Sequence, residues 1–280
     1  MPKEPPKIQV NFKSKRNDAK FYDTVSAVEC NSVLEVPNGQ NPLQNAWLTI
    51  TINYSLNFLD RRNLGDTAYV KKDGKAYVRD ANGNEFALID WDFQSQMNFN
   101  RKFAKGESSW NYKFLLLTPA DYDGLDFASM GNGFMCRPNV ICLFRLKPGL
   151  SPTHLRINVV RPDPSFWDNI FGRSYRSNKF NYQIQDVDTK TLWHELGHAL
   201  DQLHIMALKG DPQCMVDVNA DRCYEGPNIM GRGKELEPLN ARAWNELIGH
   251  HTDTPKEKWK ATLSVNTPPR QFRSASANRF

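Results

Sequence analysis

His194-Glu195-Leu196-Gly197-His198-Ala199-Leu200-Asp201-Gln202-Leu203-His204 places three of the chain's six histidines within eleven residues. Residues four apart share one face of a helix, with Cβ atoms about 6 Å apart, so His194 and His198 can offer both imidazoles to a single metal ion. Glu195 stands beside the first of them. A carboxylate there can take a proton from water made acidic by the metal, so Glu195 is expected to be a general base and not a ligand. His204 follows His194 by ten positions, which is roughly 80° around a helix at about 100° per residue. A straight helix cannot turn it to the same ion, so the helix is expected to break after His198. Asp201 is the expected pivot, because Asp enters the left-handed backbone region more readily than most non-glycine residues. His204 then swings back to complete a three-histidine site, for which zinc is the expected metal.

The pattern, HExxHxxDxxH, resembles the signature of the metzincin zinc peptidases, HExxHxxGxxH followed downstream by a tight turn that carries a methionine beneath the metal. Asn228-Ile229-Met230-Gly231 is similar to that turn, with Met230 as its methionine. The resemblance is close from Thr189 to Gly231. It implies an α+β, zincin-like fold: a twisted, mostly antiparallel-edged sheet with a backing helix, an active-site helix, and a small helical C-terminal half. It also implies a zinc-dependent endopeptidase acting on a protein or peptide. An inhibitor or immunity protein is a further candidate partner, which the sequence does not decide. Two positions depart from the family. Asp201 replaces the glycine, which makes the turn more costly and leaves Asp201 as a rival oxygen ligand or a partner of the ligands. Several branches carry a transition-state tyrosine two residues after the methionine, where this chain has Arg232; Arg232 and Tyr224 are the candidates for that role.

Two other functions fit the same residues: a zinc amidase acting on a cell-wall or other nonprotein amide, and a non-catalytic zinc-binding domain. Glu195 argues against the second, since a structural zinc site has no use for a base and closes its fourth position with protein. His250-His251 makes a poorer ligand pair, because adjacent helical residues point about 100° apart.

At 280 residues with 40% hydrophobic content, the chain can bury a sizeable core. Its net charge of +5 is dispersed and accompanied by no nucleic-acid motif; Lys13-Ser14-Lys15-Arg16 and Asp60-Arg61-Arg62 read as solvated surface. No apolar run reaches the roughly 18 residues of a membrane span, and no signal-peptide core follows Met1. The expectation is export by a leaderless route as an effector or toxin, or retention in the cytoplasm. Cys214 with Cys223, and Cys136 with Cys142, are candidate small-loop disulfides for an oxidising compartment, with free buried thiols as the equal alternative.

Residues 1–40 are expected to form a strand-rich extension or a prosegment, in which a Cys30 thiolate can occupy the open metal position. Residues 41–266 form the catalytic domain, divided near Asp201, and 267–280 a mobile, polar tail. Ala46 to Leu59, Lys75 to Val78, Tyr112 to Leu117, Val140 to Leu146 and Leu155 to Val160 read as strands, with hairpin turns at Gly74 and Asn82-Gly83. Trp91 to Phe103 reads as an amphipathic helix with Phe93, Met97 and Phe103 on its apolar side. The metal-site helix is expected to run from an N-cap at Asp188-Thr189 to Asp201, and Pro238 to Gly249 to form a helix under the site.

Overall fold

A thirteen-residue strand whose burial alternates from Ala46 to Ile52, β3 (Ala46–Phe58), is the axis of the fold. Ala46, Leu48, Ile50, Ile52 and Tyr54 face the core while Trp47 between them is 41% exposed, the period-2 pattern of a strand with one buried face. The computed structural model describes residues 7–13, 29–36, 45–62, 69–79, 85–128, 134–149, 153–161, 163, 177–178, 181–185, 189–217, 220–266 and 271–274. Among them the fold is α+β, with one large mixed sheet, two three-stranded sheets and several helices.

Before β3 come β1 (Lys7–Lys13) and β2 (Glu29–Glu35), an antiparallel pair whose second strand runs antiparallel to β3 along Trp47–Thr51. Residues 7–13 and 29–35 thus contribute to the main sheet. Cys30 is buried in β2, where desolvation pushes its thiol up to about 12. That environment disfavours the thiolate an inhibitory role would need.

After β3, β4 (Tyr69–Lys72), β5 (Lys75–Arg79) and β6 (Glu85–Leu88) form an antiparallel meander. Its first turn is the two-residue connection expected at Gly74: Asp73 and Gly74 both have positive φ, 49° and 72°, as a type I′ hairpin demands. Asn82-Gly83 lies outside the described residues.

Helix α1 (Phe93–Trp110) begins at Asp92, whose carboxylate accepts the Ser95 N–H at 2.8 Å. Its buried face is Phe99, Phe103, Gly106 and Trp110, whereas Phe93 is 77% exposed and Met97 lies at the rim. Of the expected apolar side Phe103 is buried and Phe93 and Met97 are not: the stripe follows a 4-3-4 spacing from Phe99 and continues past the expected end at Phe103 to Trp110. Glu107 fastens the end of α1 to the sheet by pairing with Arg145 at 2.7 Å and accepting the Leu146 N–H at 2.9 Å.

The remaining strands are β7 (Phe114–Leu117), β8 (Phe127–Ala128), β9 (Phe134–Arg137), β10 (Val140–Pro148), β11 (Leu155–Val160), β12 (Ser177–Asn178) and β13 (Asn181–Gln185). β10 and β11 run parallel to β3 on its two edges, β13 extends the parallel set beyond β11, and antiparallel strands close both ends. Next come the short helices of the site, α2 (Thr189–Ala199), α3 (Ile205–Leu208) and α4 (Pro212–Val216), followed by α5 (Arg242–Thr252). Trp244 of α5 is fully buried and donates its indole N–H to the Leu143 carbonyl of β10 at 3.0 Å. β14 (Lys260–Leu263) then pairs with β7, so the segment after Asp201 supplies a strand of the main sheet as well as helices. β15 (Gln271–Ser274) pairs with β9, and the tail expected to be mobile is in part a sheet strand.

Arg137 in β9 is nearly inaccessible. It faces Asp126 at 2.9 and 3.0 Å and donates to the carbonyls of Pro119 and Ala120 at 2.9 and 2.7 Å. Every strong group in this cluster has a partner, which is the condition for tolerating buried charge. Arg137→Met should cost about 3–5 kcal/mol by stranding the Asp126 carboxylate. Denaturant unfolding checks this, and a loss below about 1 kcal/mol would show the pair to be solvated.

Candidate metal centre

Helix α2 carries His194 and His198 one turn apart and stops at Ala199. Its end is a Schellman arrangement. The Gln202 N–H bonds the Gly197 carbonyl at 2.9 Å, the Asp201 N–H bonds the His198 carbonyl at 3.0 Å, and Asp201 sits at φ 60°. The left-handed residue is thus the aspartate expected to be the pivot. Its carboxylate lies 3.7 Å from Arg242 Nε of α5, and Asp201 is not among the three side chains whose ligand atoms cluster. The start of α2 at Thr189 matches the expected position; Asp188 lies outside the described residues.

Beyond the break, His204 is 4% exposed and precedes α3. The rings of His194, His198 and His204 have centroids 4.9, 5.3 and 4.9 Å apart, and one nitrogen from each lies within 4.8 Å of the others. Among the described residues this is the group of His, Cys, Asp or Glu side chains able to hold a metal ion. Two hydrogen bonds orient it. His194 Nδ1 bonds the Ile229 carbonyl at 2.9 Å, and His198 Nδ1 bonds the Gln202 carbonyl at 2.8 Å. A carbonyl only accepts, so both rings carry their proton on Nδ1 and keep the Nε2 lone pair for a cation. The donor set therefore fits a metal ion chemically. Burial pushes the His194 imidazole down to about 4, against the smaller upward pull of the Ile229 carbonyl and with a further push from Lys190. His194 is neutral, and competent as a ligand, at physiological pH.

The turn expected from the sequence is built around this group. The Asn228 side chain accepts the Met230 N–H at 2.8 Å and donates to Asn240 at 2.9 Å; both asparagines are fully buried. The Met230 carbonyl accepts the Ile205 N–H at 3.0 Å, directly after His204. The Lys190 ammonium caps the Arg232 carbonyl. Met230 itself lies against α2 so closely that a Cβ on Gly197 would stand 2.2 Å from its sulfur and 2.8 Å from the Trp110 ring. Gly106 of α1 makes a similar close approach to Leu196, and Trp110 donates its indole N–H to the Trp193 carbonyl at 3.1 Å. Thus α1 backs α2.

Glu195 is 5% exposed, next to His194. Of the two transition-state candidates, Tyr224 stands at the site, its ring 4.0 Å from His204 and 6.1 Å from His194 between centroids. Arg232 contributes its backbone, while its guanidinium is 64% exposed and 3.9 Å from Asp221. Cys214 and Cys223 form a disulfide, whereas Cys136 and Cys142 are free buried thiols in β9 and β10. Sequence reasoning missed Gly197, Trp110, Lys190 and the Asn228–Asn240 pair. Gly197 had a readable signal, a residue without a side chain between two ligand turns. The asparagine pair had none, since polarity argues for the surface.

Comparison with protein-family models, curated proteins and solved structures finds no match for this chain.

Gly197→Ala should destabilise the fold by about 1–3 kcal/mol, because Met230 and Trp110 are both fully buried and have little room to yield. An unchanged thermal midpoint would show that the turn can retreat from α2. A second expectation concerns pH. Between about 6.5 and 4 the unfolded chain protonates His194 and the folded chain does not, so stability of the metal-free protein is full above pH 6.5 and falls toward pH 4. His251, lowered by burial and by His250, acts in the same direction. Urea midpoints of metal-free protein across this window should fall, and less steeply in His194→Asn.

Proposed function

We infer that the chain is a zinc-dependent hydrolase, and that cleavage of peptide bonds is its reaction. The observation that carries this reading is the three-histidine group on a broken helix with Glu195 between two of its members. Three protein ligands with a further position open is the arrangement of catalytic zinc, whereas structural zinc takes four. The methionine-bearing turn against the ligand helix supports the metzincin-like reading of the fold. So does α1 behind that helix.

Zinc held by His194, His198 and His204 would supply Lewis acidity toward a substrate carbonyl and toward water. The protein residues do the rest. His194 and His198 are fixed as neutral ligands by the carbonyls of Ile229 and Gln202, so no proton must leave them before they bind metal. Glu195 accepts the proton of the attacking water and returns it to the departing amine. Burial of Glu195 limits its own hydration and strengthens that exchange.

The test compares zinc-loaded wild type with Glu195→Gln, which keeps side-chain volume and removes the base. Mass spectrometry of a proteome-derived peptide library should find cuts from wild type and a loss of at least about 10²-fold in the variant, with zinc content unchanged. Equal cleavage by the two proteins would sink the mechanism.

A further inference from the structure

The segment from Leu203 to Tyr224 lays an aromatic ring on the third histidine, and several constraints fix the residue that carries it. Cys223, immediately before Tyr224, is bonded to Cys214 across nine positions. Both cysteines are fully buried in a small cluster with Ala207, against which Leu203, Met206 and Tyr224 pack. The Tyr224 carbonyl accepts the Arg232 N–H at 2.9 Å, which ties it to the methionine turn. Arg222, on the other side of Cys223, pairs with Asp211 at 2.5 Å and bonds Gln213. Apart from the disulfide these restraints are modest. Helix α4 has five residues, too few to be stable alone, and Arg222 is about half exposed in its pair with Asp211. The buried members of the cluster are one alanine and two cysteines, and Leu203, Met206, Ala220 and Tyr224 around them are only partly buried, so little apolar surface is buried there. The covalent bond is therefore the dominant tie in this segment. Cys30, Cys136 and Cys142, by contrast, lie in strands held by sheet pairing and remain thiols.

We propose that Tyr224 is a positioning residue of the metal centre, acting through His204, and that its placement depends on the Cys214–Cys223 disulfide. The centre is then complete only in chains that have been oxidised. The proposal rests on the reading of the three histidines as a metal site. Two thiols lose two protons and two electrons to a low-molecular-weight disulfide such as oxidised glutathione, which is reduced to two thiols as the protein S–S bond forms. Because both sulfurs end up buried, attacking thiolates have no access to the finished bond. Oxidation acts once, as maturation. A chain kept in a reducing cytosol carries a weaker centre than one that has reached an oxidising compartment.

The test uses the full chain as oxidised wild type, Cys214→Ser/Cys223→Ser, Tyr224→Ala and Tyr224→Phe. Zinc affinity is measured by chelator competition, and the cobalt-loaded proteins are compared by their visible d–d absorption. The double serine variant and Tyr224→Ala should each bind zinc about tenfold or more weakly and show an altered cobalt spectrum. Tyr224→Phe, which keeps the ring, should retain both. In the Tyr224→Ala background the serine substitutions should add little, since both act on one contact. The tyrosine variants leave the disulfide intact and carry the test should the serine variant fail to fold. Wild-type affinity in the folded serine variant, or equal losses in Tyr224→Phe and Tyr224→Ala, would overturn the proposal and leave the metal centre standing. No zinc binding by wild type itself would overturn both.

Discussion

The whole site depends on where α2 stops. His194 and His198 are one turn apart and need only a helix, but His204 reaches them only if the chain reverses within five residues of His198. The reversal is a single left-handed residue, Asp201 at φ 60°. For a side chain larger than glycine this conformation costs about 1–2 kcal/mol. The Schellman bonds to Gly197 and His198 offset that cost by satisfying carbonyls that a helix end otherwise leaves open. The Arg242 charge near the Asp201 carboxylate adds a reason for this side chain at this position, since it links the pivot to α5. A glycine would turn as easily but could make no such link.

A reversal alone does not aim three rings at one point. That task falls to backbone carbonyls, those of Ile229 for His194 and Gln202 for His198, and one of them belongs to the methionine turn. The turn is rigid for reasons internal to it. Asn228 and Asn240 satisfy each other in the core, and a Cβ on Gly233 would fall 1.6 Å from the Pro227 carbonyl oxygen, so the chain there can fold in few other ways. Met230 then fills the space that Gly197 leaves on α2. Packing of this kind transmits position: the sulfur fixes the separation between turn and helix, and that separation sets the length of the Ile229–His194 hydrogen bond.

The parts of this arrangement legible in the sequence are those governed by local rules. Spacing of four gives His194 and His198 one face, the conformational preference of aspartate marks the pivot, and alternation of apolar residues marks β3. The Asp73-Gly74 hairpin follows from turn chemistry in the same way. What escaped reading depends on contacts between distant segments. The buried face of α1 is chosen by α2 and the sheet, so Phe93 and Met97, apolar and well spaced, remain outside while Gly106 goes in. β15 pairs with β9 although its sequence is polar, because a strand at a sheet edge needs backbone partners more than apolar side chains. The pairing of Cys214 with Cys223 rather than Cys136 with Cys142 is likewise geometric: the second pair stands in strands β9 and β10, whose positions are set by β8, β15 and the main sheet.

The same distinction explains why the histidine group is anchored so differently on its two sides. His194 and His198 ride on a helix packed against α1, with Phe103, Trp110 and Leu196 in the main core. His204 sits past the break, where Ile205 is the fully buried main-core residue, Met206 and Leu208 pack only partly buried against that core, and a satellite cluster of Ala207 and the two cysteines takes over. A small cluster contributes less apolar burial than a large one, so the free energy holding the third histidine is lower than that holding the first two. Local opening would therefore release His204 first. A disulfide acts against that opening by removing conformations from the loosened segment, whatever the strength of the contacts in the folded one. The chain thus places its one cross-link among the described cysteines beside the histidine whose own surroundings restrain it least.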